Sequence, residues 1–336
     1  MAFLSETPAI RFERPLFAAV LGNTLLSTVP GISGAGPSPL GTLLTPILDA
    51  ELVLTGTITS QDATPNTPTG CPTPASVTRA ATALAGLVPL FVNAGLAERP
   101  TVPCLDVYGA PGRDPRYGAA VPEAERLVEA GQAVGRLLSS FSDLLVLGEC
   151  VPGGTTTALC VLRALGHPAR TSSSYVANPT EQKEAVARTV LARLETLGPL
   201  SPLEVLREAG DPMLAVATGI AESYEGTLLL AGGTQQLAVA AVLHALGEPV
   251  PRVVTTSYVR DDASANFVEL AAWVGAAPLY VDPGFGDLGH AGLARYCLGE
   301  VKEGMGAGGA LALAALLGHE PDAIRGAVLE TARSYS

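Results

Sequence analysis

Six short runs of nearly continuous apolar residues punctuate the chain: PLFAAVLG (15–22), VPLFVNAG (88–95), DLLVLG (143–148), GTLLLAGG (226–233), RVVTTSY (252–258) and APLYVD (277–282). Continuous rather than alternating hydrophobicity over so few residues predicts strands covered on both faces. Between them the apolar positions take up helical spacing, in 122–141, TTTALCVLRALG (155–166), 181–198, TQQLAVAAVLHALG (234–247) and ANFVELAAWVG (265–275). Gly166 with Pro168, Gly198 with Pro199 and Gly247 with Pro249 punctuate the ends of three of these segments, because glycine accepts a left-handed cap and proline cannot continue a helix. Strands alternating with helices predict an α/β fold, a three-layer, doubly wound and mostly parallel sheet. Residues 1–336 read as a single unit, with a core over about 15–290 and a smaller helical lobe from about 1–14 and 291–336.

Two segments interrupt this rhythm. Residues 22–46 (GNTLLSTVPGISGAGPSPLGTLLTP) and 55–79 (TGTITSQDATPNTPTGCPTPASVTR) are rich in Gly, Pro, Ser and Thr. Loops of that length inside a compact domain are commonly binding loops or lids. No internal repeat is present.

Composition narrows the function. Hydrophobic residues make up 48% of the 336, charged ones only 15%, and the net charge of -12 repels a nucleic-acid backbone. With no run of Lys and Arg interleaved with aromatics, nucleic acid is excluded as a partner. The N-terminus has no basic region leading into an unbroken apolar core, so no signal peptide is expected. The apolar stretch 228–246 is broken by Gln235, Gln236 and His244, and 307–317 is too short for a bilayer, so no membrane is expected. Five irregularly spaced cysteines and four scattered histidines fit a reduced, cytoplasmic protein without a metal site.

The chemistry concentrates at glycine turns. In GECVPGGTTTA (148–158), Gly153 and Gly154 allow close backbone approach to a ligand, and Thr155 and Thr156 open the helix with hydroxyls and amide N–H groups, an anion-binding arrangement. A tight turn with a threonine cap is the plainer account of a glycine pair, but it gives Glu149 no task. No lysine follows the glycines as a P-loop requires. A carboxylate beside a phosphate cradle suits a phosphorylated ribose, from whose hydroxyls it would accept hydrogen bonds. Lys183, in the first turn of a helix if Thr180 caps it, sits where the helix dipole disfavours a cation. A bound phosphate would reverse that penalty, as would, more plainly, a surface pairing with Glu181 or Glu184. VKEGMGAGGALALAALLG (301–318) repeats the design: Glu303, then Gly304, Gly306, Gly308 and Gly309, then an apolar helix. Helix packing accounts for the later small residues but not for Lys302 and Glu303. A carboxylate at the lip of an apolar pocket has a raised pKa and can act as a general base.

These elements, in this order, resemble the nicotinate-nucleotide dimethylbenzimidazole phosphoribosyltransferase family of cobalamin assembly, and more closely its archaeal and cyanobacterial-type branch. The similarity runs over about 143–318 through GECVPGGTTTA, EQKEAVARTV, SPLEVLREAGDPMLAVATGIAES, GTLLLAGGTQQLAVAAVL and KEGMGAGGALALA. It implies transfer of phosphoribose from nicotinate mononucleotide to an aromatic base, with Glu303 as catalytic base. Glu149, Gly153, Gly154, Thr155, Thr156, Lys183, Gly304 and Gly306 would bind substrate, and no metal or other cofactor is implied. A homodimer is implied as well. The family's Asp-His-Gly element is replaced here by GNTLLSTVPGISGAG and its Asp-Gly pair by Ala231-Gly232-Gly233. The acceptor is therefore open among dimethylbenzimidazole, adenine and related bases, with the 22–46 and 55–79 loops as acceptor lid and Asn23 and Thr24 as contacts. A non-catalytic mononucleotide sensor on the same fold is the competing reading. An ordinary dinucleotide oxidoreductase lacks its G-x-G-x-x-G after the first strand.

Overall fold

The computed structural model describes residues 2–335. The ends of the expected unit, Met1 and Ser336, lie outside the described residues.

Among the described residues, seven parallel strands form one sheet: β1 (Pro15–Gly22), β2 (Leu90–Gly95), β3 (Leu105–Asp106), β4 (Leu144–Cys150), β5 (Thr227–Ala231), β6 (Arg252–Thr256) and β7 (Leu279–Val281). Their order is β3-β2-β1-β4-β5-β6-β7. The six strands read from hydrophobicity are all present, and β1 has the predicted bounds. The two-residue edge strand β3 was not anticipated, since only Leu105 and Asp106 pair there, with Val92 and Asn93.

Helices of the same described residues surround the sheet: α1 (Thr45–Thr55), α2 (Pro74–Leu84), α3 (Ala124–Ser139), α4 (Gly154–Ala164), α5 (Thr180–Glu195), α6 (Pro202–Ala209), α7 (Pro212–Ser223), α8 (Thr234–Leu246), one-turn α9 (Ser257–Arg260), α10 (Phe267–Trp273), one-turn α11 (Ala291–Ala294), α12 (Ala307–Leu316) and α13 (Pro321–Arg333). Two apolar clusters, one on each sheet face, hold the layers together. Residues of α3 to α8 and α10 cover one face with Leu145 and Leu147 of β4. Those of α1, α2, α12 and α13 cover the other with Leu144 and Val146. The strict alternation along β4 follows from the two-residue period of a strand.

The α12 helix is rich in small residues because it lies against the strands. A Cβ on Gly309 would come within 2.3 Å of the Ala231 Cβ and 2.7 Å of Val146 Cγ1. No helix among the described residues is long and apolar enough to cross a membrane.

The chain leaves β1 toward β2 on one side, while β4 lies on the other side of β1. The loops leaving β1 and β4 therefore part in opposite directions and open a crevice at the carboxyl ends of the strands, the usual ligand position in such sheets.

Candidate active site

A cavity of about 710 Å³ occupies that crevice. Its walls come from the loop after β1 (Ile32–Pro37), the segment from Ile58 to Pro74, the β4–α4 turn, the Ser172–Ser174 strap, Gly233–Gln235 and the turn Val301–Gly304. Both Thr/Pro/Gly-rich loops singled out in the sequence thus line it. The second is tied down: Glu51 accepts from Thr59 N at 2.8 Å and from the hydroxyls of Thr59 and Ser60. Glu300 accepts from the hydroxyls of Thr67 and Thr69, each at 2.6 Å. Residues 74–79 of the expected loop form the start of α2, and a proline at its first position suits that start.

Glu303 stands on an unusual turn. Val301 (φ 52°), Lys302 (φ 46°), Gly304 (φ 153°), Met305 (φ 49°) and Gly306 (φ 66°) all have positive φ. A β-branched residue such as Val301 is strained there, and strain of this kind persists only where surrounding contacts impose it. The contacts are visible. Both carboxylate oxygens of Glu303 accept from Gly308 N at 3.2 Å, Oε1 also from Gly304 N at 3.1 Å, and Oε2 from Thr256 N at 3.2 Å. Burial raises its pKa to about 7 against the opposing pull of these amides. A carboxyl poised near neutrality and fixed by three amides is equipped to take a proton without moving.

Glu149 is buried at the end of β4. Its pKa rises to about 8 through burial first, then through repulsion from Glu303 and Asp211. At pH 7 it is mainly protonated and can donate as well as accept, which extends the acceptor-only role expected of it. Strand alternation directs Glu149 to the α4 and α8 side of the sheet and Cys150 to the α1 side. Gly232 (φ 156°) borders Glu149: a Cβ there would come within 3.3 Å of Glu149 Oε1. That contact gives a physical reason for glycine in the Ala231-Gly232-Gly233 run.

Of the other residues singled out in the sequence, Gly153, Thr155 and Gly304 line the cavity with Glu149 and Glu303, whereas Gly154, Thr156, Lys183, Gly306, Asn23 and Thr24 stand behind its wall. Gly153 caps α4 in the left-handed conformation (φ 79°). The amides of Gly154 and Thr156 bond to the carbonyls of Val151 and Gly153 at 2.9 Å. The Gln235 amide stands over Gly154, where a Cβ would meet its Oε1 at 1.8 Å. The cradle at α4 is narrower than the glycine pair alone indicates. Gly306 meets Gly148 so closely that a Cβ on Gly306 would lie 2.8 Å from the Gly148 Cα.

Lys183 is neither a surface residue nor on the cavity wall. Pro179, not Thr180, takes the cap position of α5, and Lys183 is buried, its Nζ donating to the carbonyls of Thr171 (2.9 Å) and Ser172 (2.7 Å). Burial lowers its pKa to about 7. Glu184 pairs with Arg163 instead. Lys302 braces the same strap through the Tyr175 carbonyl (3.1 Å) and Asp262 (3.5 Å), and Asp262 accepts from Ser172 Oγ at 2.6 Å. Asn23 and Thr24 are fully buried and shape the loop after β1: Asn23 bonds the Leu43 carbonyl and the Ala97 amide, and Thr24 caps the following 3-10 turn.

The Ser172–Ser174 strap, the Thr234–Gln235 pair and Asp49 belong to the cavity wall but to none of the acid–glycine motifs of the sequence. Two signals were available: the run RTSSSY following the Gly166–Pro168 stop, and the acids within TPILDAELVLT, a helix whose remaining residues are apolar or Thr. No group of three or more His, Cys, Asp or Glu among the described residues has a metal-holding arrangement.

No protein-family model matches the chain. It is 44% identical over 324 residues to a UPF0284 protein of Thermococcus gammatolerans, covering 95% of this chain and 97% of that protein. It is 40% identical over 338 residues to a UPF0284 protein of Methanosarcina acetivorans, covering 98% and 97%. Among solved structures it resembles the nicotinate-nucleotide-dimethylbenzimidazole phosphoribosyltransferase of Thermus thermophilus, with a TM-score of 0.63 at 20% identity over 95% of this chain and 83% of that one. A structure described as CobT from the same organism gives 0.64 at 19% over 95% and 84%. At such identity the likeness establishes the shared α/β fold.

Proposed function

The chain belongs to the UPF0284 family, and we propose that it is a phosphoribosyltransferase that moves phosphoribose from nicotinate mononucleotide to a nitrogen of an aromatic base. The observation that carries this reading is Glu303, held by three backbone amides with a pKa near neutrality on the wall of a cavity that also contains Glu149 and the β4–α4 glycine turn. The fold shared with the Thermus thermophilus phosphoribosyltransferase supports it.

In the proposed reaction the bond from C1′ of ribose to the pyridinium nitrogen breaks and its electron pair returns to nicotinate. One ring nitrogen of the acceptor forms the new bond to C1′, and the proton on its other nitrogen passes to Glu303. The leaving group starts as a cation and needs no proton. Positive charge developing at C1′ is stabilised by the ionised Glu303 carboxylate and by the carbonyl dipole of Glu149 inside a low-dielectric cavity. Holding donor and acceptor together supplies much of the remaining acceleration. Glu149 hydrogen-bonds the ribose hydroxyls, while the hydroxyl-rich rim of Thr155 and Ser172–Ser174 meets the phosphorylated end.

The test is base-dependent nicotinate release from nicotinate mononucleotide, with the ribotide product identified by mass spectrometry. Product with the wild type and a large loss in Glu303→Gln support the transferase. Donor binding without product from any base would favour a mononucleotide sensor.

A further inference from the structure

Asp49 belongs to none of the roles above. It lies on α1, is 8% exposed, and lines the cavity. Among the described residues no salt bridge reaches it. The thiol Cys150 Sγ donates to it at 3.6 Å, and the Thr73 hydroxyl exerts a weaker pull. A carboxyl removed from water ordinarily needs strong partners. The wall carries other unspent polar atoms. Asn66 Oδ1 has no partner among the described residues, and its orientation is set because Nδ2 donates to the Tyr335 carbonyl at 3.2 Å. Thr234, 1% exposed and also on the wall, keeps an Oγ1 without a partner among those residues. The cavity is thus built for a polar occupant.

We propose that Asp49 selects the acceptor, pairing with the edge of a heteroaromatic base that carries an amino group beside a ring nitrogen. This rests on the transferase reading and deepens it. Burial raises the Asp49 pKa to about 7, so below neutrality the carboxyl offers one O–H donor and one C=O acceptor side by side. An amino group next to a ring nitrogen presents the complementary acceptor and donor. A ring edge bearing only hydrogen or methyl leaves the buried carboxyl unpaired, and sites built to hydrogen-bond a substrate group reject analogues lacking it. Asp49 and Glu303 line the same cavity. A base held between them keeps one nitrogen for attack and its amino edge for Asp49.

Adenine and purine differ by that amino group alone and serve as probes. Wild type should favour adenine over purine at least tenfold in kcat/KM. Asp49→Asn, which still offers a donor and an acceptor, should keep the preference within a few-fold, and Asp49→Leu should bring the ratio to near one. Equal use of the two bases by wild type, or a preference that survives in Asp49→Leu, overturns the proposal. Failure of the transferase reading is seen separately, as no nicotinate release with any base. In that event the same ratio is read from calorimetric dissociation constants of adenine and purine for each variant, and absence of binding to both overturns the assignment. Circular dichroism of each variant guards against loss of fold, and if the Leu variant unfolds, Asp49→Ala, which has no donor or acceptor and adds no bulk, carries the same expectation of a ratio near one.

Discussion

The backbone N–H of Met305 donates to the carbonyl oxygen of Glu149 at 2.9 Å, joining two acid–glycine segments that lie far apart in the chain. Gly148 and Gly306 make that bond possible by meeting without side chains. Gly306→Ala would place a Cβ 2.8 Å from the Gly148 Cα at a φ of 66°. We expect a loss of about 1–3 kcal/mol of stability from the overpacking. Urea denaturation measures it, and nicotinate release should fall as Glu149 and Glu303 are pushed apart.

Glu303→Gln keeps the shape and removes the base. Turnover should drop by roughly 10²–10⁴-fold, the usual contribution of a positioned proton acceptor. Affinity for nicotinate mononucleotide, measured by calorimetry, should change little. In wild type the rate with purine, which has no amino group for Asp49 to hold, should rise with pH through about 7 as Glu303 ionises, and a flat profile would exclude it as the base.

Asp49, Glu149, Asp211 and Glu303 all have raised pKa values, to about 7, 8, 6 and 7, with burial as the largest cause. Between about pH 4.5 and 7 the unfolded chain holds fewer protons on these groups than the folded one, so stability falls as pH rises. A carboxyl with a lowered value, such as Glu51 at about 2, is ionised in both states over most of that window and adds little slope. The melting temperature of the ligand-free protein should therefore decrease across it. A rising curve would mean that these carboxyls are ionised in the folded state.

Lys183→Met removes the donor to two carbonyls of the strap. The Thr171 carbonyl keeps Asn178 Nδ2 at 2.9 Å, but the Ser172 carbonyl is left without its donor, and one buried carbonyl left unsatisfied costs about 1–3 kcal/mol, so the melting temperature should fall. The strap should also loosen, raising the KM for nicotinate mononucleotide more than it lowers kcat. Unchanged stability with a lost donor affinity would instead indicate direct contact between Lys183 and the phosphate.

The fold was legible because parallel strands buried on both faces leave continuous apolar runs, and helix ends leave Gly and Pro. The edge strand β3 was not, since two residues paired on one side carry no such pattern. The site was half legible. Glu149 and Glu303 stood out as charges next to glycine turns in apolar surroundings, whereas Lys183 read as a phosphate ligand or, equally, as a surface lysine because its neighbours in sequence are charged.

By itself the sequence determined the periodicities, and with them the alternating α/β order and the two acid–glycine turns at strand ends or helix starts, all consequences of local backbone geometry. Only the tertiary structure decided that the two turns meet, that Lys183 braces a strap instead of facing the cavity, and that Asp49 on α1 opens into the same cavity. These depend on contacts between residues far apart in the chain, where desolvation and close backbone approach set each group's partners and pKa, and no local pattern records them.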